Sequence, residues 1–181
     1  LGHAVKNAAM PPRQARLIFR LVNYFQPRNV LELGTGPGIT AAYIASACYK
    51  STTVTVEGNP ALYRVATRVL KITELTNVRL IHADFATAID QFKNQHRYLD
   101  FLVLDGDHSF EKTMQYLNSL KPLFHSNSVV VVHDIHWSCG MEKAWKHIVN
   151  QFDQGVSIDL FHTGILFYGF TGHKSHLQLK L

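Results

Sequence analysis

Cysteine is scarce in this chain and forms no pattern. Of 181 residues, only Cys48 and Cys139 are cysteines, and they lie far apart in the sequence. Two distant thiols match neither the disulfide framework of a small secreted domain nor the paired ligands of a zinc knuckle. We therefore interpret both as reduced thiols and expect a cytoplasmic protein.

Long apolar runs are also missing. No stretch approaches the roughly 20 consecutive apolar residues that cross a bilayer. The chain starts with Leu-Gly-His-Ala-Val-Lys, which does not have the charged-then-apolar order of a secretory signal. We expect a soluble chain without a membrane partner. Because the first residue is Leu1 rather than Met, native residues could be missing before it.

Runs of like charge are absent as well. The formal net charge of +5 and the pI of about 9.3 suit a polyanionic partner, but Lys and Arg are scattered and no run of five or more occurs. We expect no nucleic-acid partner. Arg13, Arg16 and Arg20 follow one side of a predicted first helix, and we interpret this basic row as a solvated face.

What the chain does contain is an alternation of β-rich runs with helical patterns from residue 28 onward, without repeats, low-complexity segments or a Gly/Ser linker. Such alternation predicts a parallel sheet with helical crossovers. The last of five predicted strands reads Ser-Val-Val-Val-Val-His, and this unbroken apolar run is typical of a strand covered on both faces. The predicted strands are Asn29–Leu33, Thr52–Glu57, Asn77–His82, Leu99–Leu104 and Ser128–His133.

Three amphipathic helices are predicted from the spacing of apolar residues. Helix Pro60–Thr73 has its apolar residues on one stripe, a proline at its first position and Asn59 as N-cap. A helix at about Pro12–Phe25 precedes the first strand, and a third pattern runs from Met141 to Phe152.

The alternation of β-rich and helical segments ends after the last of these helices. Two β-rich runs, Gly155–Phe161 and Ile165–Phe170, are separated only by His162, Thr163 and Gly164. Three residues cannot make a parallel crossover, so these runs predict an antiparallel hairpin. The expected fold is α/β, a Rossmann-like, seven-stranded, mostly parallel sheet with a terminal antiparallel hairpin. We expect one domain over residues 1–181, with an N-terminal helix or cap at 1–27, a core at 28–170 and a tail at 171–181.

The residues that close the strands form a consistent series, and ligands of open parallel sheets bind beyond the carboxyl ends of the strands. After the first strand, Gly34, Gly36 and Gly38 permit a tight turn and the close approach of a ligand. Glu57 ends the second strand, where a carboxylate can accept hydrogen bonds from both ribose hydroxyls of a nucleoside. Asp84 follows the third strand, where it can meet an adenine amino group or cap the next helix.

The chain resembles the class I S-adenosylmethionine-dependent methyltransferases over residues 28–170, through Glu32-Leu-Gly-Thr-Gly-Pro-Gly38, Glu57, Ala83-Asp84-Phe85 and the closing hairpin. This resemblance implies S-adenosylmethionine as cofactor and a strand order of 3-2-1-4-5-7-6. It also places Glu32 and the glycine turn near the methionine end of the cofactor, with Asp105 bordering the methionine. Glu57 would contact the ribose and Asp84 the adenine. The implied cofactor-binding residues are Glu32, Gly34, Thr35, Gly36, Gly38, Glu57, Gly58, Asp84, Phe85 and Asp105.

A nicotinamide-dependent dehydrogenase is the main alternative for a glycine turn of this kind. Its turn follows the pattern Gly-x-Gly-x-x-Gly, whereas here position 39 is Ile and the third glycine comes one residue early, at Gly38. Glu32, two residues before the turn, also favours the methyltransferase.

In methyl transfer the protein mainly has to align the acceptor and, for a hydroxyl, remove its proton or stabilise the oxyanion. The acceptor type should show after the fourth strand. Methylases of amino groups in nucleic-acid bases typically carry an Asn/Asp-Pro-Pro-aromatic motif there, whereas this chain has Asp105-Gly-Asp-His-Ser-Phe110. Together with His133-Asp134-Ile-His-Trp137 after the fifth strand, this segment resembles the catechol-type and macrolide-sugar O-methyltransferases.

In those families, an Asp after the fourth strand and an acidic pair after the fifth hold a divalent cation that binds substrate oxygens and lowers the pKa of a hydroxyl. Asp105 and Asp134 match this pattern. Position 135 is Ile where the catechol-type pattern has Asn, and position 133 is His where the sugar-methylating pattern has Glu. The resemblance thus implies Mg²⁺ or Mn²⁺ on Asp105, His133 and Asp134. A histidine is a poor ligand for magnesium but a good one for manganese, iron or zinc.

His108 stands where catechol-type enzymes carry a catalytic Lys, and a His there can act as a general base near neutral pH. A structural role for His108 is an equal alternative. Asp107 or Ser109 is expected to cap the following helix. His136 and Trp137 either line the acceptor pocket or pack at a strand-to-helix turn. The implied catalytic residues are Asp105, His108 and Asp134.

We therefore expect an enzyme that transfers a methyl group from S-adenosylmethionine to a hydroxyl of a small molecule, with a divalent cation as an optional second cofactor. One alternative is methylation of nitrogen or of an RNA or protein target, for which the basic helix face would be the docking surface. Another is a non-catalytic module that binds the cofactor. Acceptor specificity has to come from the N-terminal helix, the loops after the fourth and fifth strands, or the second subunit of a homodimer.

Overall fold

The structure of the chain, a computed structural model, describes residues 9–153, 155–169 and 174–180. It divides into two compact units, Leu1–Ala88 and Ile89–Leu181. The expected single domain stays a prediction, and Phe170, the predicted end of the hairpin, lies outside the described residues with part of the tail. Within the described ranges, no helix has both the length and the apolar character that a bilayer crossing requires.

The first unit alternates helices with three parallel strands. Its strands lie in the order β3-β2-β1, which agrees with the predicted order, and helices α1 and α3 both pack against α2. The elements in chain order are α1 (Pro12–Phe25), β1 (Asn29–Leu33), α2 (Ile39–Ala47), β2 (Thr52–Glu57), α3 (Pro60–Ile72) and β3 (Val78–His82).

Helix α1 confirms the prediction made from its apolar spacing. Proline at its first position fits the helix because its ring fixes φ and the missing N–H has no partner there anyway. Ile18 and Val22 are buried on one side of the helix. Arg13, Arg16 and Arg20 on the other side are exposed.

Helix α3 begins where predicted because Asn59 caps it. The side-chain oxygen of Asn59 accepts hydrogen bonds from the N–H groups of Ala61 and Leu62. Of the predicted apolar stripe, Ala66 and Leu70 are buried. The helix ends one residue earlier than predicted.

The second unit contains the terminal hairpin. Its strands lie in the order β4-β5-β7-β6-β8, with β4 parallel to β5 and β7 antiparallel to both β5 and β6. This confirms the predicted run 4-5-7-6, and β4 and β5 are buried along their whole length. Helix α4 (Phe85–Gln95) contains the boundary between the units. The following elements are β4 (Phe101–Leu104), α5 (Phe110–Leu120), β5 (Val129–His133), α6 (Cys139–Gln151), β6 (Val156–Asp159), β7 (Thr163–Phe167) and β8 (Ser175–Gln178).

The predicted hairpin is confirmed, but its connection is shifted by two residues. β6 and β7 pair across residues 160–162, whereas residues 162–164 were predicted to connect them. Thr163 and Gly164 belong to β7. A Cβ at Gly164 would lie 2.5 Å from a ring carbon of Trp145, so this glycine leaves room for an aromatic ring and does not mark a turn.

An eighth strand lies in the segment that was expected to be a tail. β8 pairs in parallel with β6, and the hydroxyl of Ser157 lies 2.9 Å from Nδ1 of His176 across that pair. Without β8, the outer edge of β6 would present unpaired N–H and C=O groups. The four residues of β8 are too few for the alternation of a strand to show in the sequence.

Candidate active site

In the first unit, a glycine turn at residues 34–38 follows β1. The N–H groups of Gly34 and Thr35 both donate to the carbonyl of Val56, which ties the turn to β2. Gly38 has a φ of +87°, and a Cβ there would lie 3.2 Å from the Cα of Ala66 in α3. The third glycine is therefore required both by its left-handed backbone and by the close approach of α3.

The carboxylate of Glu57 closes β2 beside that turn. Its Oε2 accepts a hydrogen bond from the N–H of Gly36 at 2.9 Å, and its Oε1 accepts one from the N–H of Asn59 at 2.8 Å. Each carboxylate oxygen has more than one acceptor site, so Glu57 can accept further hydrogen bonds from two hydroxyl groups. The structure thus places Glu57 beside the glycine turn. The expected contact with two ribose hydroxyls would use the remaining acceptor sites of this carboxylate.

Glu32 lies in β1 and is fully buried. The hydroxyl of Thr55 donates to Oε2 of Glu32, and the hydroxyl of Thr35 lies 2.6 Å from that of Thr55. Because the single proton of Thr55 is used on Glu32, Thr35 has to donate to Thr55. This chain of hydrogen bonds connects the interior of β1 to the glycine turn.

Asp84 and Phe85 stand at the start of α4. The carboxylate of Asp84 accepts hydrogen bonds from the backbone N–H of Thr87 at 2.9 Å and from the Thr87 hydroxyl at 2.7 Å. These bonds, the backbone one first, hold the pKa of Asp84 below its usual value. The helix-capping contact is therefore present, and the adenine contact stays a prediction. The carbonyl of Gly58 lies 3.3 Å from Nε2 of His82.

In the second unit, Asp105 and Asp134 directly follow β4 and β5. These strands are parallel neighbours, with Leu104 opposite Val132, so both carboxylates leave the sheet at the same edge. Asp134 has a φ of 54°, a left-handed conformation that Asp adopts more readily than most residues. Its N–H donates to the carbonyl of His162 at 2.6 Å. The hairpin connection thereby supports the loop that carries Asp134.

His133, the last residue of β5, is paired with these carboxylates. Its Nδ1 lies 2.8 Å from Oδ1 of Asp105 and 3.5 Å from Oδ1 of Asp134. Burial of the imidazole lowers its pKa, but the hydrogen bond to Asp105 and the charges of both carboxylates outweigh burial and raise the pKa above its usual value. Asp105 therefore stabilises the protonated form of His133.

His108 brings a second imidazole to the same carboxylates. Its Nε2 lies 3.9 Å from Oδ1 of Asp105 and 3.9 Å from Oδ2 of Asp134. One ligand atom from each of these three residues lies within 4.8 Å of the others. Ligand atoms on one octahedral ion with bonds of about 2.1 Å lie ~3 Å (neighbouring) or ~4.2 Å (opposite) apart, so the three side chains would have to move closer together to share a cation. The predicted ligands Asp105 and Asp134 are thus joined by His108, whereas Nδ1 of His133 contacts Asp105.

The residues after His108 begin helix α5. The hydroxyl of Ser109 accepts a hydrogen bond from the N–H of Lys112 and caps the helix. Oδ2 of Asp107 instead accepts a hydrogen bond from the hydroxyl of Tyr116. Of the two caps left open by the sequence, Ser109 is the one used.

Sequence patterns did not reveal Asp159, a buried carboxylate at the end of β6. Its Oδ2 lies 3.0 Å from Nε2 of His136 and accepts a hydrogen bond from Nε1 of Trp145 at 3.1 Å. Its Oδ1 accepts one from the N–H of Phe161 at 2.8 Å. With these three partners, Asp159 joins the loop after β5, helix α6 and the hairpin connection.

Two aromatic side chains are exposed around this network. Phe161 has a φ of 72°, which is costly for an aromatic residue, and its side chain is 63% exposed. Its ring stacks on that of His136 with the centroids 5.4 Å apart. Trp137 is 72% exposed. The sequence left two roles open for His136 and Trp137, lining the acceptor pocket or packing at the strand-to-helix turn. His136 is held by Asp159 and Phe161, whereas Trp137 does not pack in the core.

A sequence signal for Asp159 did exist. β6 is antiparallel to β7, which is antiparallel to β5, so β6 runs parallel to β5 and ends at the same edge of the sheet. Inspection of the residues that close strands would have selected Asp159 if the strand had been predicted to end there and not at Phe161.

A family model described as a methyltransferase domain matches residues 31–135, more than half of the chain. The chain belongs to this methyltransferase family. The matched part of the methyltransferase includes the glycine turn and the cluster of Asp105, His108 and Asp134, whereas Asp159 lies beyond it. No curated protein matches the chain.

Solved structures share the fold of this methyltransferase. An O-methyltransferase from Bacillus cereus in complex with SAH has a TM-score of 0.72 at 17% identity, with 87% of this chain and 80% of that chain covered. The O-methyltransferase TomG from Streptomyces achromogenes, involved in tomaymycin synthesis and in complex with SAM, has a TM-score of 0.75 at 18% identity, with 92% and 90% covered. A methyltransferase from Geobacter sulfurreducens has a TM-score of 0.70 at 18% identity, with 86% and 78% covered. This likeness confirms the predicted fold.

Proposed function

We propose that this methyltransferase transfers the methyl group of S-adenosylmethionine to a hydroxyl oxygen of a small molecule. The observation that carries the proposal is the cluster of Asp105, His108 and Asp134, two carboxylates and an imidazole at the carboxyl edge of β4 and β5. Two solved structures of the same fold, in complex with SAH and SAM, are O-methyltransferases, which supports both the cofactor and the acceptor atom.

The first unit supplies the groups that would hold the cofactor. Glu57 can accept hydrogen bonds from two ribose hydroxyls, and the glycine turn permits the close approach of the methionine end. Asp84 is an acceptor for the adenine amino group, and Gly58 and Phe85 directly follow the two carboxylate positions. Of these groups, Glu57 is the most firmly placed, because two backbone N–H groups fix its carboxylate.

The sulfonium of S-adenosylmethionine supplies a methyl group that is already activated, so the protein has to align the acceptor and take its proton. His108 would act as the general base, since its neutral imidazole can accept the proton through a ring nitrogen. Asp105 and Asp134, each 3.9 Å from Nε2 of His108, then stabilise the positive charge that the imidazole gains.

A divalent cation also fits this cluster. Asp105 and Asp134 would bind it with His108 or His133 as the nitrogen ligand, and this donor set suits Mn²⁺ better than Mg²⁺. When bound, such a cation lowers the pKa of a coordinated hydroxyl. If His108 is the nitrogen ligand, it cannot serve as the base, and removal of metal should stop the reaction. If His108 is the base and no cation takes part, removal of metal should leave the rate unchanged.

The exposed aromatic residues of the second unit would contact the acceptor. The N–H of Trp137 donates to the carbonyl of Asp134 at 2.9 Å, and the carbonyl of His162, next to Phe161, accepts from the N–H of Asp134. Both aromatic side chains therefore belong to segments that contact Asp134. An acceptor with an apolar face beside its hydroxyl group fits these surroundings.

Two measurements test the proposal. Calorimetric titration with S-adenosylhomocysteine should show binding, and labelled S-adenosylmethionine with a panel of small hydroxyl compounds should give an O-methylated product, identified by mass spectrometry. His108→Gln should slow the transfer by roughly 100-fold or more while binding is unchanged, and His147→Gln, at an exposed position of α6, serves as the control. Failure to bind the cofactor product, or transfer only to nitrogen, would contradict the proposal.

A further inference from the structure

Charge is divided unequally between the two units. Residues 1–88 contain ten Lys or Arg and four Asp or Glu, whereas residues 89–181 contain eight and nine. Of the four acidic residues in the first unit, Glu32 and Glu57 are buried, which leaves Glu74 and Asp84 at the surface. The net positive charge of the chain is therefore concentrated in the first unit.

The type of cation differs as well. Seven of the ten basic residues in the first unit are arginines, whereas seven of the eight in the second unit are lysines. An Arg guanidinium presents five N–H donors in a planar fork that matches phosphate oxygens, and it is more weakly hydrated than an ammonium group. The first unit therefore carries the kind of cation that binds phosphate groups best.

Helix α1 gathers part of this charge on one stripe, which we name the α1 stripe. Four exposed residues recur at a spacing of three or four and share one face of the helix. They are Arg13, Arg16, Arg20 and Tyr24. The side chain of Tyr24 is 79% exposed. The α1 stripe thus combines three guanidinium groups with one accessible aromatic ring.

A second stripe, the α3 stripe, consists of Arg64, Arg68 and Lys71, which share one exposed face of α3. Helices α1 and α3 both pack against α2. No arginine of the two stripes forms an ion pair with a carboxylate in the part of the chain that the structure describes. Their charge is therefore available to an external anion.

We propose that the α1 and α3 stripes form a surface that binds single-stranded nucleic acid. Arginines contact phosphates without regard to sequence, and an exposed aromatic ring stacks on an unpaired base. Tyr24 supplies one such ring. Tyr49, just beyond the end of α2, is 77% exposed and supplies a second, with Nζ of Lys50 5.6 Å from its centroid.

Two other anionic partners match this surface less well. A nucleic-acid duplex keeps its bases stacked and offers no partner to Tyr24. A helix that lies on a membrane needs an apolar face free for lipid, whereas Ile18 and Val22 on the apolar face of α1 are buried in the protein. A surface of this kind does not require a run of basic residues in the sequence, because the two helices align basic side chains from residues 13–71.

Fluorescence anisotropy of the whole chain with a labelled single-stranded RNA of about 20 nucleotides tests the proposal, with salt raised from about 50 to about 200 mM. The affinity should fall steeply with salt. The triple variant Arg13→Gln, Arg16→Gln, Arg20→Gln should flatten the slope of log affinity against log salt by about 2, since three phosphate contacts are lost. Tyr24→Ala should weaken binding by roughly tenfold without changing the slope.

A matched control removes the same charge from exposed positions of the second unit, with Lys93→Gln, Lys143→Gln and Lys146→Gln. Its RNA affinity should equal that of the unchanged chain. Absence of RNA binding at low salt, equal losses in both triple variants, or tighter binding to a duplex of the same length would overturn the proposal. Binding only to vesicles that contain phosphatidylserine would overturn it as well. These readouts do not depend on methyl transfer, so they stand apart from the test of the proposed reaction.

Discussion

In the first unit, the carboxylate of Glu57 accepts hydrogen bonds from the backbone N–H groups of Gly36 and Asn59, whereas in the second unit the carboxylate of Asp105 is paired with the imidazole of His133. A backbone N–H donates at every pH and in every variant except one with proline at that position. An imidazole changes its charge near neutral pH and is lost when its residue is replaced.

The same contrast holds for the surroundings of each site. The glycine turn is tied to β2 by backbone hydrogen bonds to Val56. The loop after β5 has a backbone hydrogen bond from Asp134 to His162, but it also depends on side-chain contacts from Asp159 to His136 and Trp145. The effects of substitutions in the second unit should therefore extend to neighbouring side chains, whereas those of substitutions in the first unit should stay more local. Substitutions at four positions test this difference.

The largest effect is expected at Asp134. Asp134→Ala should abolish Mn²⁺ binding, because Asp105 and one imidazole leave too few ligands, while affinity for S-adenosylhomocysteine stays unchanged. Asp134→Asn suits the left-handed backbone and separates loss of charge from backbone strain. Calorimetry measures both ligands, with Asp153→Ala as the exposed control. Mn²⁺ uptake that persists in both Asp134 variants would place the cation elsewhere.

The next effect is expected at Glu57. Glu57→Ala should weaken binding of S-adenosylhomocysteine by about 1–3 kcal/mol, since hydrogen bonds to a charged group are lost. Mn²⁺ binding should not change if the two sites are independent. Calorimetry again gives both affinities, and Glu74→Asn, at an exposed position of the same unit, is the control. An unchanged affinity for the cofactor product would remove Glu57 from the cofactor site.

A smaller effect is expected at Asp159. Asp159→Asn should lower the free energy of unfolding by about 1–3 kcal/mol, because an amide N–H₂ would face N–H donors of its partners. It should also raise the KM for the acceptor more than the Kd for the cofactor product, since His136 and Phe161 lose their support. Urea unfolding and steady-state kinetics check this, against Asp90→Asn at an exposed position. Equal behaviour of the two variants would contradict the role of Asp159.

The smallest effect is expected at Asp84. Its pKa is lowered in the folded state, so its stabilising contribution is present above the unfolded value near 3.8 and is lost as the pH falls through the folded pKa. Asp84→Ala should therefore lower the Tm slightly at neutral pH, and the difference should vanish in acid. A parallel loss of affinity for S-adenosylhomocysteine would support the adenine contact, whereas an unchanged affinity would leave Asp84 as a helix cap only.

The sequence by itself determined the elements that depend on local physics. Strands β1 and β2 begin and end at the predicted residues, and Asn59 caps α3 as predicted. The glycine turn and Glu57 were found because a turn needs special backbone angles at adjacent positions and because strand ends mark the ligand edge. Such signals act over a few residues, so a single sequence contains them.

Only the tertiary structure decided the contacts that join distant residues. Gly164 leaves room for the ring of Trp145, and β8 pairs with the outer edge of β6. His108 lies beside both Asp105 and Asp134, and Asp159 beside His136, only because strand register places their loops together. Periodicity describes each element separately, whereas these contacts arise from packing between elements.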